Sequence, residues 1–419
     1  MVKIFSFTAL RPKPDKAGDI ASVPYDVVST EEARECIEKN NLSFMKVIRS
    51  EATMPGISPT DPAVYETAKK NLEELIKSGL IKRDERPGIY VYRVKQGESI
   101  YTGFVANVSV KDYEENKIKR HELTRYDKEE DRTTHIDTTN ANTGLVVLLY
   151  RDKDGIFRYV ESLIQDMQPD GVAKTDTGIV HEIFRVADEN SVSKLIAMFE
   201  NVDALYIADG HHRAKSSVNV AQKRRKEERI SEEAERFMAV IFAENRVKIH
   251  GYSRLVTDLG SYTRESFLKA LSNIFEVKPY GEIDGSMFRI PPLKESENPV
   301  HVFHMYMGKN WYELSAPVKN PKDTIASLDV SVLQKTVMED MLGISDPRGD
   351  ERLQYLGGSR PISDLKTRVD SGSFAVAFSM QPVKVETVLK IADEGEIMPP
   401  KSTWFEPKVL SGLVIHTLD

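Results

Sequence analysis

The segment "ALYIADGHHRAKS", Ala204 to Ser216, gathers Asp209, Gly210, His211, His212 and Arg213 at the end of an apolar run. The run reads as a strand and the residues after it as a helix, so the turn between them opens a helix. The first N–H groups of a helix have no intrahelical acceptor, and the helix dipole adds positive potential there. Such a turn binds anions. His211, His212 and Arg213 bring further donors to it. Gly210 permits a positive φ or a close backbone approach. Asp209 beside an anion site would repel phosphate unless it has a task, either holding a divalent metal such as Mg²⁺ or accepting a hydroxyl proton. The alternative is a capping aspartate flanked by surface histidines.

A second stretch, "KIKRHELTRYDKEEDRTTHIDTTNANTG", carries Arg120, His121, Glu122, Arg125, Lys128, Arg132 and His135 among interleaved acids. It fits either a phosphate-binding loop or an exposed, salt-bridged one, and it is too charged to be core. Its two histidines are too far apart for the zinc-protease spacing. "VHEIFRV" places His181 and Arg185 on one face of a strand. Five of the nine histidines fall between residues 121 and 212. In "SVPYDVVSTEE", Asp26 is a turn residue or a site carboxylate. "YLGGSR" is a weak phosphate signal. "MPPKSTWFEPK", near the end, reads as a lid over something or as plain structural closure. P-loop, dinucleotide-binding, protein-kinase and G-x-S-x-G motifs are absent.

The elements that must position these residues mix hairpins and helices. "GIYVYRVKQGESIYTGFVANVSV" is a hairpin, "STEEARECIEKN" and "DPAVYETAKKNLEELIKSGLI" are capped amphipathic helices, and "GLVVLLY" is a buried strand. This predicts an α+β fold with mixed sheets rather than a repeating βαβ sheet. A boundary near 250 separates a region 1–250, holding the turn, from an α+β region 251–419 whose tail could pack back on the site.

Composition narrows the function. The chain has 58 basic and 65 acidic residues, net charge −7, with 40% hydrophobic and 29% charged residues. An acidic balance disfavours nucleic-acid binding. The single cysteine, Cys36, excludes an internal disulfide and cysteine-cluster metal sites. No signal peptide or membrane span is visible, so the expectation is a cytoplasmic protein without a membrane partner.

"DGHHR" after an apolar strand resembles the signature of free-serine kinases of the ParB/sulfiredoxin-like superfamily. "ALRPKP", "PYDVVSTEEAR", "HELTRYDKEEDR", "NANTG", "IADGHHRA" and "GEIMPPKSTWFEPKVLSGLVIH" resemble a family of bacterial and archaeal proteins in which serine-kinase activity is expected. The resemblance implies a ParB/sulfiredoxin-like core enlarged by a C-terminal α/β half, and phosphorylation of free L-serine to O-phosphoserine with Mg²⁺. It implies Asp209 as the catalytic carboxylate and metal ligand, Glu122 as the base, and Gly210, His211, His212 and Arg213 as phosphate contacts. His121, Arg125, Lys128, Arg132, His135 and His181 are the further donor-binding candidates. That density of cationic side chains favours diphosphate as donor over ATP or ADP. A phosphoserine phosphatase and a non-catalytic nucleotide- or DNA-binding protein are the alternatives, and a homodimer is left open.

Overall fold

In the computed structural model, the structure describes residues 1–419 apart from 295, 297, 348 and 359. The chain forms two compact units, residues 1–247 with 407–419, and residues 248–406. The second unit is thus inserted before the last segment of the first, and the region 251–419 is not one body.

The first unit is built on a nine-stranded sheet. Its order is Ile118–Lys119, Leu205–Asp209, Val146–Tyr150, Arg236–Ala243, Ser99–Ser109, Ile89–Gln96, Val180–Val186 and Gly171–Lys174, with Ile4–Phe5 also paired to Ser99–Ser109. The Ile89–Gln96 and Ser99–Ser109 strands form the predicted hairpin. Most pairs are antiparallel, but Leu205–Asp209 runs parallel to Ile118–Lys119, and Val146–Tyr150 parallel to Arg236–Ala243. The architecture is therefore α+β with mixed sheets. Central strands such as Val146–Tyr150 are buried along their whole length, which explains their uninterrupted apolar run. Phe104, Leu148, Phe199, Ile207 and Ile241 belong to one buried cluster.

The charged stretch 111–143 is not a loop. Tyr126–Thr139 is a helix that buries Arg132, His135, Ile136 and Thr139. Arg132, His135 and Thr139 are partnered, which is how so charged a segment contributes to an interior. The following turn, "NANTG", is a junction for three elements. Asn140 is left-handed, at φ 53°, and its side-chain oxygen accepts from Arg224. Its carbonyl accepts the Leu418 N–H. Asn142 pairs in register with His416.

The second unit carries a six-stranded sheet, Glu276–Tyr280, Asn310–Pro317, Val300–Met307, Val376–Met380, Ser253–Val256 and Leu353–Leu356, with every pairing antiparallel. Its chain ends, Lys248–His250 and Trp404–Glu406, pair with each other. The "YLGGSR" turn lies here. A β-carbon on Gly358 would fall 2.3 Å from the Gly251 carbonyl oxygen, so close backbone packing accounts for that glycine; Ser359 lies outside the described residues. Among the described residues no helix is long and apolar enough to cross a membrane.

Candidate functional site

Asp209 ends the Leu205–Asp209 strand, just after a register shift between Ile207 and Asp209 against Val146–Tyr150. Such irregularities re-aim side chains at strand ends. Gly210 follows at φ +88°, and the helix His211–Lys226 begins with no side-chain cap. The first intrahelical bond runs from the Ala214 N–H to the Gly210 carbonyl, at 3.0 Å. Both features agree with the predicted strand–turn–helix.

The Asp209 carboxylate lies between two cations. Arg213 Nη2 is 3.0 Å from Oδ2, and Lys408 Nζ is 3.3 Å from Oδ1. Burial would raise its pKa, but Lys408 and Arg213 outweigh burial and hold the carboxyl well below the usual carboxylate range. Arg213 is itself 7% exposed. Its Nη1 lies 3.7 Å from Asp26 Oδ2, so one guanidinium bridges two carboxylates. Asp26 therefore sits beside the turn, whereas its sequence context left it open between turn and site. Lys408 belongs to the end of the "MPPKSTWFEPK" stretch, in the segment that returns to the first unit.

Among the described residues, two buried nitrogens at this turn have no hydrogen-bond partner, His211 Nε2 and Arg213 Nε. Buried polar atoms are ordinarily satisfied. Two such atoms on the first turn of an uncapped helix leave hydrogen-bonding capacity there that the described residues do not fill. His211 stacks edge-on against His121, with ring centroids 4.7 Å apart. Burial pushes His121 down to about 4 and His211 well below its ordinary value, so both rings are neutral at pH 7. His212 Nε2 accepts the Arg125 N–H at 3.0 Å, which ties the 121–125 segment to the turn. Glu122 is half-buried next to His121.

The other predicted contacts are engaged elsewhere. Arg132 pairs with Asp131 at 2.8 Å and lies over the Tyr25 ring at 4.4 Å. His135 Nε2 is 2.9 Å from the Val47 carbonyl and is pushed down to about 3 by burial. Both line a small, partly open cavity against Arg213, with Ser217 and Ser411, with room for about one water. His181 lies on a strand that Val146–Tyr150, Arg236–Ala243, Ser99–Ser109 and Ile89–Gln96 separate from that of Asp209 in the sheet order. Its Nδ1 is 3.0 Å from the Tyr92 hydroxyl, which accepts the Leu410 N–H. Arg125 is exposed and forks onto Asp127, and Lys128 is exposed.

The side chains around Asp209 do not form a magnesium cage by themselves, so Mg²⁺ would be held there chiefly by the donor's own phosphates. Each oxygen of Asp209 already meets a cation, and among the described residues no three His, Cys, Asp or Glu side chains converge to hold a metal. What the arrangement offers is cationic and N–H donors around an ionised carboxylate, a second carboxylate within reach, and neutral buried imidazoles.

The family model described as "Protein of unknown function (DUF1015)" matches residues 4–331. No curated protein matches the chain. Among solved structures, a variant of free serine kinase in complex with AMP is 12% identical with a TM-score of 0.37, over 75% of this chain and 91% of that one. A conserved hypothetical protein from Pyrococcus furiosus is 15% identical with a TM-score of 0.32, over 72% and 90%. SbnI with a C-terminal truncation, from Staphylococcus aureus, is 10% identical with a TM-score of 0.36, over 73% and 85%.

Proposed function

The chain belongs to the DUF1015 family, and for it we propose phosphoryl transfer to the hydroxyl of free L-serine, with diphosphate as donor and ATP or ADP as the alternatives. The observation that carries this reading is the turn itself. An ionised Asp209 is held by Lys408 and Arg213 beside an uncapped helix start with two orphaned buried nitrogens. A ligand with several anionic oxygens satisfies those nitrogens and the first N–H groups of the helix together. A single carboxylate ligand would satisfy fewer of them.

The transfer is balanced as follows. The serine hydroxyl oxygen attacks the terminal phosphorus of the donor. The bond from that phosphorus to the bridging oxygen breaks, and phosphate leaves from diphosphate. The hydroxyl proton passes to a carboxylate. Arg213, Lys408, His211 and the helix N–H groups face the charge on the transferring group. Asp26 and Glu122 are the candidate proton acceptors. Asp26 is favoured because its carboxylate shares Arg213 with Asp209 and remains 43% exposed. Asp209, with a cation on each oxygen, is the orienting carboxylate.

Phosphorus NMR on the full chain with L-serine tests this, giving diphosphate, ATP and ADP separately, each with and without added Mg²⁺. An O-phosphoserine signal that disappears in Asp209→Ala is the expected result. Release of phosphate from O-phosphoserine without any donor would instead favour the phosphatase reading. Silence with all three donors would remove the kinase reading.

A further inference from the structure

Both oxygens of Asp209 are occupied by the same cations that a polyphosphate would need. Lys408 Nζ is 3.3 Å from one and Arg213 Nη2 3.0 Å from the other. The two cations screen the carboxylate's charge and take one acceptor position on each oxygen, which weakens it as a partner for a substrate hydroxyl. The two cations differ in freedom. Arg213 is packed between two glycines: a β-carbon on Gly210 would lie 2.8 Å from its Nε, and one on Gly144 would lie 3.3 Å from its Cδ. Lys408 is a point charge on a flexible stem, with its side chain 26% exposed, and its contact to Asp209 is the longer of the two. A donor carrying two or more negative charges competes with one carboxylate for that ammonium on favourable terms.

We infer, building on the phosphoryl-transfer reading above, that the Lys408–Asp209 pair is a latch opened by the phosphate donor. The donor draws Lys408 Nζ off Asp209 Oδ1 and onto its own oxygens, while Arg213 stays in place. The freed Oδ1 then accepts the hydrogen bond of the incoming serine hydroxyl. Lys408 is thereby a donor-binding residue, and substrates enter in order, donor before serine. The segment that carries Lys408 directly follows the inserted second unit, so the latch is made by chain that rejoins the first unit last.

Calorimetric titration of the full chain with inorganic diphosphate, without serine, reads the latch directly. With its competitor removed, Asp209→Asn binds diphosphate tighter than wild type, by about tenfold for one removed charge. Lys408→Met binds about tenfold weaker or worse, and Lys408→Arg recovers most of the loss. A folded Asp209→Asn that binds diphosphate no tighter than wild type overturns the latch and leaves the site reading standing. Wild-type protein supplies a second measurement that needs no variant. L-serine gives binding heat only after diphosphate has been added, and heat from serine alone overturns the ordered entry. If wild type binds neither diphosphate, ADP nor ATP, the phosphoryl-transfer reading fails, and the latch with it.

Discussion

Gly210 and Arg213 pack against each other so closely that a β-carbon at position 210 would lie 2.8 Å from Arg213 Nε and 2.9 Å from Nη2. The turn residue and the site cation therefore specify one another. Gly210 is also at φ +88°, where a β-carbon costs roughly 1–2 kcal/mol. Gly210→Ala is expected to lower stability by at least that much in a denaturant titration. It should also displace Arg213 from Asp209 and abolish phosphoryl transfer. Full activity in a folded Gly210→Ala protein would contradict this.

The two candidate bases separate by mutation. Asp26→Asn should reduce transfer by about 10²–10⁴-fold, the usual range for a positioned proton acceptor. Glu122→Gln should cost less than about tenfold on the same scale. Steady-state rates in the phosphoserine assay decide it, and the reverse order would make Glu122 the base.

His416 anchors the returning tail, with each ring nitrogen close to a polar partner. Its Nδ1 is 3.0 Å from Asn142 Oδ1, which also accepts the Met238 N–H at 3.2 Å. Its Nε2 is 2.7 Å from Glu233. Asn142 in turn donates to Ser217 in the site helix. His416→Ala removes its contacts to Asn142 and to the Glu233 carboxylate, about 0.5–1.5 kcal/mol for a neutral hydrogen bond and about 1.5–3 for one to a charged group, while Asn142 keeps the Met238 N–H and Glu233 keeps Asn107 and Arg236. Urea unfolding should show a loss of at least about 2 kcal/mol by that reasoning, and a loss near zero would show that the tail is held by other contacts alone.

Acid should weaken the fold before its carboxylates titrate. His121 and His181 are pushed down to about 4 and His135 to about 3, burial being the main cause. The unfolded chain binds protons on these residues below its ordinary value of about 6.5. The folded chain does so only near their depressed values. Stability therefore falls as pH drops from about 6.5 towards 4, at up to ~1.4 kcal/mol per pH unit for each histidine. Melting temperatures between pH 7 and 4 should fall steadily, and His135→Gln, if folded, should flatten the slope. A flat profile above pH 5 would show that these rings do not set acid stability.

Local features were legible in the sequence. The strand, the glycine and the helix of "ALYIADGHHRAKS" follow one another along the chain, so periodicity and turn chemistry are enough to place Asp209 and Arg213 together. The hairpin of residues 89–109 is visible for the same reason. The 111–143 segment was harder, because its charge pattern hides a helix whose buried face is polar. Arg132 and His135 enter the interior only because Asp131, Tyr25 and the Val47 carbonyl receive them.

What the sequence by itself determined is the turn: a strand, a glycine and a helix in that order, with Asp209, His211, His212 and Arg213 around the glycine. Only the tertiary structure decided what surrounds it. Lys408 is 199 residues from Asp209 along the chain, and nothing in "EPK" marks it as the cation that meets this carboxylate. Asp26 looks like a turn residue until Arg213 lies 3.7 Å away. His181 looks like a site histidine until the sheet order carries it away from Asp209. The physical reason is shared. Propensity and periodicity act over a few residues, whereas strand order and the path of the returning tail are set by burial of the whole sheet. That burial brings together carboxylates and cations with no local relation to one another.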